Sequence, residues 1–328
     1  MKLHARPATL IAACLLAVWA LPPNLQVVHA AVYPERAVTL IVPFAAGGGI
    51  DIVARIFAGK LQEKLHQTVV VENHAGGGGM VGTAVVARAA PDGYTLLVIE
   101  ASSVLAKWLH KDVAFNVESD FAPVAKVATT YLGLFASASL PVDSMGELIA
   151  YGKAHPGKLS VGTPGVGTPH HLAAMMLNRG AGIDVTNVPY RGTPPSVNDL
   201  ISGQIPLVWA VPLNVMPFVA QGKAKLLAVS APQRIAAFPN APAVAESVPG
   251  FDVELWLGIA APARTPPEVV ARLAQAIHDI SSLPDVQKRL STLGYKSDFR
   301  DGGAFRDMIL ADQKKFGDVI YAAGILPK

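Results

Sequence analysis

Residues 38–65 read VTLIVPFAAGGGIDIVARIFAGKLQEKL. An apolar run ends at Phe44, three consecutive glycines fill positions 47–49, and apolar residues then return at helical steps as Ile52, Ile56, Leu61 and Leu65. A strand, a bare turn and a helix in that order predict one unit of a parallel sheet covered by helices. The same unit recurs downstream. TVVVEN at 68–73 leads through HAGGGG to MVGTAVVARAA, which Pro91 stops, and YTLLVIE at 94–100 leads to ASSVLAKWL.

A second series starts near residue 131. YLGLFAS precedes SMGELIAYGKAHP; KLSVG leads through TPGVGTP to HHLAAMMLNRG; VTNVPY leads through RGTPP to SVNDLISG; IPLVW and KLLAVS flank LNVMPFVAQGK. The tail from PPEVVARLAQAIHDISSL onward reads as three helices without strands, and the strand-like run VELWLGIAAP joins it to the second series. Two α/β lobes are the simplest architecture. Ligands of open α/β sheets settle at the carboxyl ends of strands, where the turns into helices present unpaired N–H groups and the positive end of a helix dipole. Glycine lets a guest approach that backbone closely, so the turn at Gly47, Gly48 and Gly49 suits an anion.

The N-terminus narrows the setting. Lys2 and Arg6, an apolar run from Ala8 to Leu21 and small residues up to Ala30 have the layout of a secretory signal peptide, residues 1–30, cleaved after Ala30. The run is too short for a membrane anchor and is followed by Pro22 and Pro23. Cys14 in LIAAC mimics a lipoprotein box, but most of the apolar stretch follows it. Cleavage takes 30 of 328 residues, leaves 298 and removes the only cysteine, and with it disulfides and thiolate chemistry. It also removes two positive charges, so a net +3 becomes +1. Neither nucleic acid nor an anionic membrane is suggested as a partner.

Other motifs carry rival readings. Gly77, Gly79 and Gly82 spell G-x-G-x-x-G between a strand and a helix, and Glu100 follows 18 residues later, which is the spacing of a dinucleotide fingerprint and its ribose acid. A secreted NAD-type oxidoreductase is therefore one alternative. Four glycines in a row produce such matches easily, however, and exported proteins generally lack a nicotinamide supply. An exported hydrolase is another alternative, although no G-x-S-x-G elbow occurs. Asp51 and Arg55, four apart, form a surface pair or serve the helix start, with Asp51 also a candidate for shaping the pocket. His170 and His171 are adjacent and so point to different faces of a helix, which rules out a metal pair; His170 is a candidate for the helix start or for a ligand hydrogen bond. Trp209, at a strand end, is either core or pocket wall.

The segments YPERAVTLIVPFAAGGGIDIVAR, VVVENHAGGGGMVGTAVVARAAPDGYTLLV, DFAPVAKVA, HPGKLSVGTPGVGTPHHLAA, VPYRGTPPSVNDLISGQI, GKAKLLAVS and FPNAPAVAES, in order and spacing, resemble the periplasmic substrate-binding receptors of tripartite tricarboxylate transporters. The resemblance covers roughly residues 33 to 325. It implies an α/β fold of the type II periplasmic binding kind: two lobes, a hinge of two crossing segments, and closure on the guest. Lobe 1 would comprise residues 32–130 plus 256–328, and lobe 2 residues 131–255. It further implies a non-enzymatic receptor without cofactor or metal, acting in the periplasm as a monomer. That receptor would deliver a small organic carboxylate to membrane transporter subunits. Relatives hold the carboxylate mainly through backbone groups and ordered waters. Carried over residue by residue, the site takes Phe44, Ala46, Gly47 and Gly48 from the first turn, Gly78 and Gly79 from the second, and Ser102 after the third strand. From the second lobe it takes Thr163, Gly165, Gly167, Thr168, His170, Tyr190 and Gly192.

Departures bear on the guest. Gly49 and Ile50 stand where relatives commonly carry Ser-Thr, Ala210 where many carry an acid, and Glu100 where the residue is usually small and uncharged. The pocket is therefore expected to be less polar than usual, with one carboxylate nearby; amino-acid guests are disfavoured unless Glu100 substitutes for the missing acid. Helix N-termini contribute about 0.3–1 kcal/mol each and net hydrogen bonds about 1. Several of each approach the roughly 8 kcal/mol of micromolar binding. Apolar burial against Phe44, Ile50, Val166 and Trp209 would supply the rest, which suits a mono- or dicarboxylate with an apolar or aromatic body.

Overall fold

The computed structural model describes residues 33–322, so the expected signal peptide and Cys14 lie outside the described residues. The strands are β1 (Val38–Val42), β2 (Val69–Asn73), β3 (Thr95–Glu100), β4 (Phe121–Tyr131), β5 (Gly133–Ser137), β6 (Leu159–Thr163), β7 (Val185–Pro189), β8 (Leu207–Ala210), β9 (Ala224–Val229), β10 (Glu254–Pro262) and β11 (Lys296–Asp301). The helices are α1 (Gly49–Leu65), α2 (Met80–Ala87), α3 (Ala101–Leu109), α4 (Met145–Ala154), α5 (Pro169–Ala181), α6 (Thr193–Ile201), α7 (Met216–Ala220), α8 (Pro267–Ser281), α9 (Pro284–Thr292) and α10 (Gly302–Ala322).

Two sheets result. The first has six strands in the order β11-β4-β10-β3-β1-β2, and the second has five in the order β7-β6-β8-β5-β9. In the first, β1 lies parallel to both β2 and β3, as the recurring strand-turn-helix pattern requires. All of β1 except Thr39 is buried, because helices cover both faces of a central parallel strand. Helix α1 buries Val53, Ile56, Phe57, Leu61 and Leu65 on one side and ends at His66 in the left-handed conformation. The second sheet repeats the arrangement with β6 parallel to β7 and β8.

Strands β4, β10 and β11 depart from the sequence reading, which assigned no strand to 121–130. VELWLGIAAP is not merely a joining segment: as β10 it runs antiparallel between β3 and β4, in the middle of the first sheet. The tail is not strandless either, since KSDFRD forms β11 on the edge, antiparallel to β4. Its single partner strand leaves most of its side chains in or near solvent, so it never needed the apolar alternation that marks a strand in sequence. Next to it, fully buried Lys126 of β4 donates to Asp298 at 2.5 Å and lies 4.0 Å from Glu254, so a charge in the sheet is matched by two carboxylates.

The chain crosses between the sheets at Leu132 and again between β9 and β10. Ser230 stitches the crossings together. Its N–H donates to the Leu132 carbonyl at 2.8 Å and its carbonyl accepts the Val253 N–H at 3.0 Å. Its hydroxyl accepts the Leu132 N–H at 2.9 Å and donates to the Val253 carbonyl at 2.6 Å. Ser230 and Leu132 are completely buried, so every one of these groups needs the partner it has.

Candidate functional site

The turn between β1 and α1 is shaped from within by Asp51. Its Oδ2 accepts the Gly47 N–H at 2.9 Å and Arg55 Nε at 3.0 Å, and its Oδ1 accepts Asn73 Nδ2 at 3.0 Å. Asn73 Nδ2 also donates to the Phe44 carbonyl at 3.0 Å, so one carboxylate and one amide fix both ends of the glycine turn. Burial raises the Asp51 pKa, but the bonds from Arg55, Gly47 and Asn73 outweigh it and hold the group below the usual carboxylate range. Asp51 and Arg55 do pair, as their spacing suggests, yet Asp51 is buried rather than on the surface.

In the opposite lobe Thr168 caps α5. Its hydroxyl accepts the His171 N–H at 3.3 Å and donates to the Gly165 carbonyl at 2.8 Å, while Pro169 supplies the preset φ of the first turn. This order turns His170 into the space between the lobes. His170 is 3% exposed, neither ring nitrogen has a hydrogen-bond partner, and burial pushes its pKa down to about 3. The imidazole is neutral there. Its partner residue His171 lies on another face, where Nδ1 accepts the Gly167 N–H at 3.4 Å.

These two junctions meet. Phe44, Ala45, Gly48, Gly49 and Ile50 of the first, with Pro164, His170, Thr193, Val211 and Leu255, enclose a cavity of about 20 Å³. That is room for roughly one water. Around the cavity the lobes touch backbone to backbone. A Cβ on Gly78 would stand 2.1 Å from the Val166 carbonyl oxygen, one on Gly165 2.7 Å from the Gly78 Cα, and one on Gly192 2.9 Å from the Ala45 Cβ. Asn214 Nδ2 adds a bond to the Gly47 carbonyl at 3.2 Å. Gly78, Gly165 and Gly192 all have positive φ, so both conformation and close approach demand glycine.

The expected site residues fall into three groups. Phe44, Gly48, Gly49, Ile50 and His170 line the cavity. Gly78, Gly165, Val166 and Gly192 form the contact between lobes; Gly79 supports it, a Cβ there standing 3.0 Å from Ser102 Oγ and 3.1 Å from Phe44 Cζ, and a Cβ on Gly167 would stand 3.1 Å from His110 Nε2. The rest serve the walls from behind. Thr163 donates to Asn187 at 2.8 Å, and Tyr190 donates to Asp199 at 2.7 Å, its pKa pushed up to about 12 by burial and that carboxylate. Ser102 donates to Glu100, Thr168 caps, Gly47 bonds Asp51, and Ala46 is exposed. Trp209 is core: it is fully buried and stacks on Phe251 at 5.9 Å, and Val211, two residues on, lines the cavity instead.

Sequence reasoning passed over Tyr295, which nothing local marks. It follows α9, and its hydroxyl reaches the start of α1, 2.5 Å from where a Cβ on Gly49 would lie. The hydroxyl is buried without a partner, and both burial and the Glu100 carboxylate raise its pKa. The face of the Gly77–Gly79 turn that a pyrophosphate would need is taken at Gly78 by the Val166 carbonyl, and Glu100 is bonded to Ser102 instead of standing open for a ribose.

Residues 53–325 match the model of the tripartite tricarboxylate transporter family receptor. Protein BugT of Bordetella pertussis is 36% identical over 259 residues, 77% of this chain and 78% of that one. The structure of periplasmic binding protein BugD superposes with a TM-score of 0.87 at 34% identity, covering 90% of this chain and all of the other (100%). MatC from Rhodopseudomonas palustris with bound malate gives a TM-score of 0.84 at 32% identity, covering 88% of this chain and 100% of MatC.

Proposed function

The chain belongs to the receptor family of tripartite tricarboxylate transporters, and we propose that it captures a small organic carboxylate between its lobes and hands it to the membrane subunits of such a transporter. The family is one of periplasmic solute receptors, not of enzymes, and the oxidoreductase and hydrolase alternatives fall with that assignment. Residues 1–30 would act as the export signal. Lobe 1 would span 32–130 and 256–328, and lobe 2 131–255.

One observation carries the reading. The N-termini of α1 and α5, from opposite lobes, open on the same small cavity, and the only ring among its lining side chains that offers polar atoms, His170, has both nitrogens unbonded. Main-chain amides at two facing dipole ends suit a carboxylate without an arginine clamp, and neutral His170 offers it one N–H. The malate held by MatC supports a guest of this chemistry. The apolar remainder of the wall, Phe44, Ile50, Val211 and Leu255, suits an aliphatic or aromatic body. A cavity of about 20 Å³ admits no such body, so capture requires the lobes to part and close about the Leu132, Ser230 and Val253 crossings.

Calorimetry on the mature protein with aliphatic and aromatic carboxylates, amides of the same acids and sugars tests this. Micromolar binding of carboxylates, lost in the matching amides, is expected. Sugar binding, or equal affinity for acid and amide, would overturn the reading. His170→Phe, which removes the N–H and keeps bulk, is expected to weaken carboxylate binding about tenfold, the worth of one hydrogen bond to a charged group.

A further inference from the structure

Three helices of the first lobe begin where β1, β2 and β3 end, and the third junction is already occupied by the chain itself. Glu100, the last residue of β3, is 1% exposed and directly precedes α3. One of its carboxyl oxygens, Oε1, accepts the Ser102 hydroxyl, so the first turn of α3 is already engaged by a protein carboxylate. The second oxygen, Oε2, is buried with no partner. Among the described residues Glu100 makes no ion pair with a lysine, arginine or histidine.

This carboxyl stands behind the first-lobe wall of the cleft. Ser102, to which it is bonded, lies against Gly79, and the Glu100 charge reaches Tyr295, whose unpartnered hydroxyl stands at Gly49. The titratable group that lines the cavity itself is His170, from the other lobe, neutral and likewise unpartnered. His170 thus lines the space itself, while Tyr295 and Glu100 stand one layer behind its Gly49 and Phe44 side. A second carboxylate on a guest would meet Glu100 in a desolvated site, where two like charges cannot both persist. A hydroxyl or ammonium reaching past the Gly49 side of the wall would satisfy Oε2.

We propose that Glu100, with Tyr295, makes this receptor select carboxylates whose other end carries a hydrogen-bond donor, an amino or hydroxyl group, over dicarboxylates of the same length. The proposal rests on the carboxylate-capture reading above. It sets this chain apart from MatC and its malate.

Two matched series vary only the far end: adipate, 6-hydroxyhexanoate, 6-aminohexanoate and hexanoate; and terephthalate, 4-(hydroxymethyl)benzoate, 4-(aminomethyl)benzoate and benzoate. Calorimetry on the mature protein at pH 7.5 is expected to show, in at least one series, the donor-ended acid binding tenfold or more tighter than the dicarboxylate. Glu100→Gln keeps the shape and removes the charge. It is expected to narrow that preference tenfold by weakening the amino acid and strengthening the dicarboxylate, with melting curves showing that it folds. Tyr295→Phe is expected to weaken donor-ended guests about threefold and to leave hexanoate and benzoate unchanged. A wild-type preference for the dicarboxylate, or a ranking that Glu100→Gln leaves unmoved, overturns the proposal and spares the carboxylate reading. Failure of all eight acids to bind, the simple monocarboxylates included, overturns both.

Discussion

At the hinge, all three polar groups of Ser230 are bonded within the chain, through four hydrogen bonds; in the cleft wall and just behind it, Glu100 Oε2, the Tyr295 hydroxyl and both nitrogens of His170 are buried and bonded to nothing in the chain. The two regions are alike in burial and opposite in satisfaction. Folding alone punishes an unpaired buried polar group by about 1–3 kcal/mol, so the hinge has the composition that stability favours. The cleft keeps groups that stability would remove, which is what a surface made for a guest looks like from the protein's side.

The sharpest way to break the contrast is to titrate it. Burial raises the Glu100 pKa from 4.5 to about 7, so the folded protein keeps a proton that the unfolded chain has lost. The penalty is absent below about pH 4.5, grows as pH rises to 7 and is complete above it, roughly 3 kcal/mol for a buried group. Glu100→Gln is therefore expected to be the more stable protein at pH 8 and no different at pH 4, read from urea midpoints. Identical slopes for the two proteins would show that the carboxyl is solvated. His170 slopes the other way: with its pKa lowered to about 3, stability is lost as pH falls from 6.5 toward that value. Removing Glu100 should leave that opposite slope in plain view.

Next in size is the hinge. Ser230→Ala strands the Leu132 N–H and the Val253 carbonyl and is expected to cost about 2 kcal/mol in denaturant unfolding. A loss below about 0.5 kcal/mol would mean that the crossings reorganise freely, and the contrast with the cleft would lose one of its sides. The smallest effect belongs to Thr168, which holds the α5 end of the cleft through two side-chain bonds. Thr168→Ala is expected to cost about 1 kcal/mol and Thr168→Ser to restore most of it; equal losses in both would point to the methyl group rather than the cap.

The contrast also explains what could be read from the sequence. The β1-α1, β2-α2 and β3-α3 units announce themselves because buried parallel strands are apolar throughout and their turns are rich in glycine. Helix α5 is equally legible from its cap, proline and closing glycine. Strand β4 is broken in sequence by Pro123 and Lys126, and β11 by alternating charges, so neither carries a strand signature, and their places beside β10 depend on long-range pairing. Within the site, the first-turn glycines, Glu100 and His170 are marked by residue type and position. Their roles are not: that Gly78 faces a carbonyl of the other lobe, or that Tyr295 crosses to Gly49, follows only from the packed fold. Asp51 shows the same limit, since i,i+4 spacing reports its pairing with Arg55 and says nothing of its burial.

Where Gly78 lies on Val166 and Gly165, peptide meets peptide with no side chain between. Main chain cannot swing aside as a rotamer can, so the rim is a gauge without give. In the proposed capture, a guest that fits would let the jaws reach the same stop every time, and one slightly too long would hold them ajar. Under the proposed capture, a membrane partner docking on the outside would thereby receive a yes-or-no signal about cargo length, delivered by the two shells and not by the cargo.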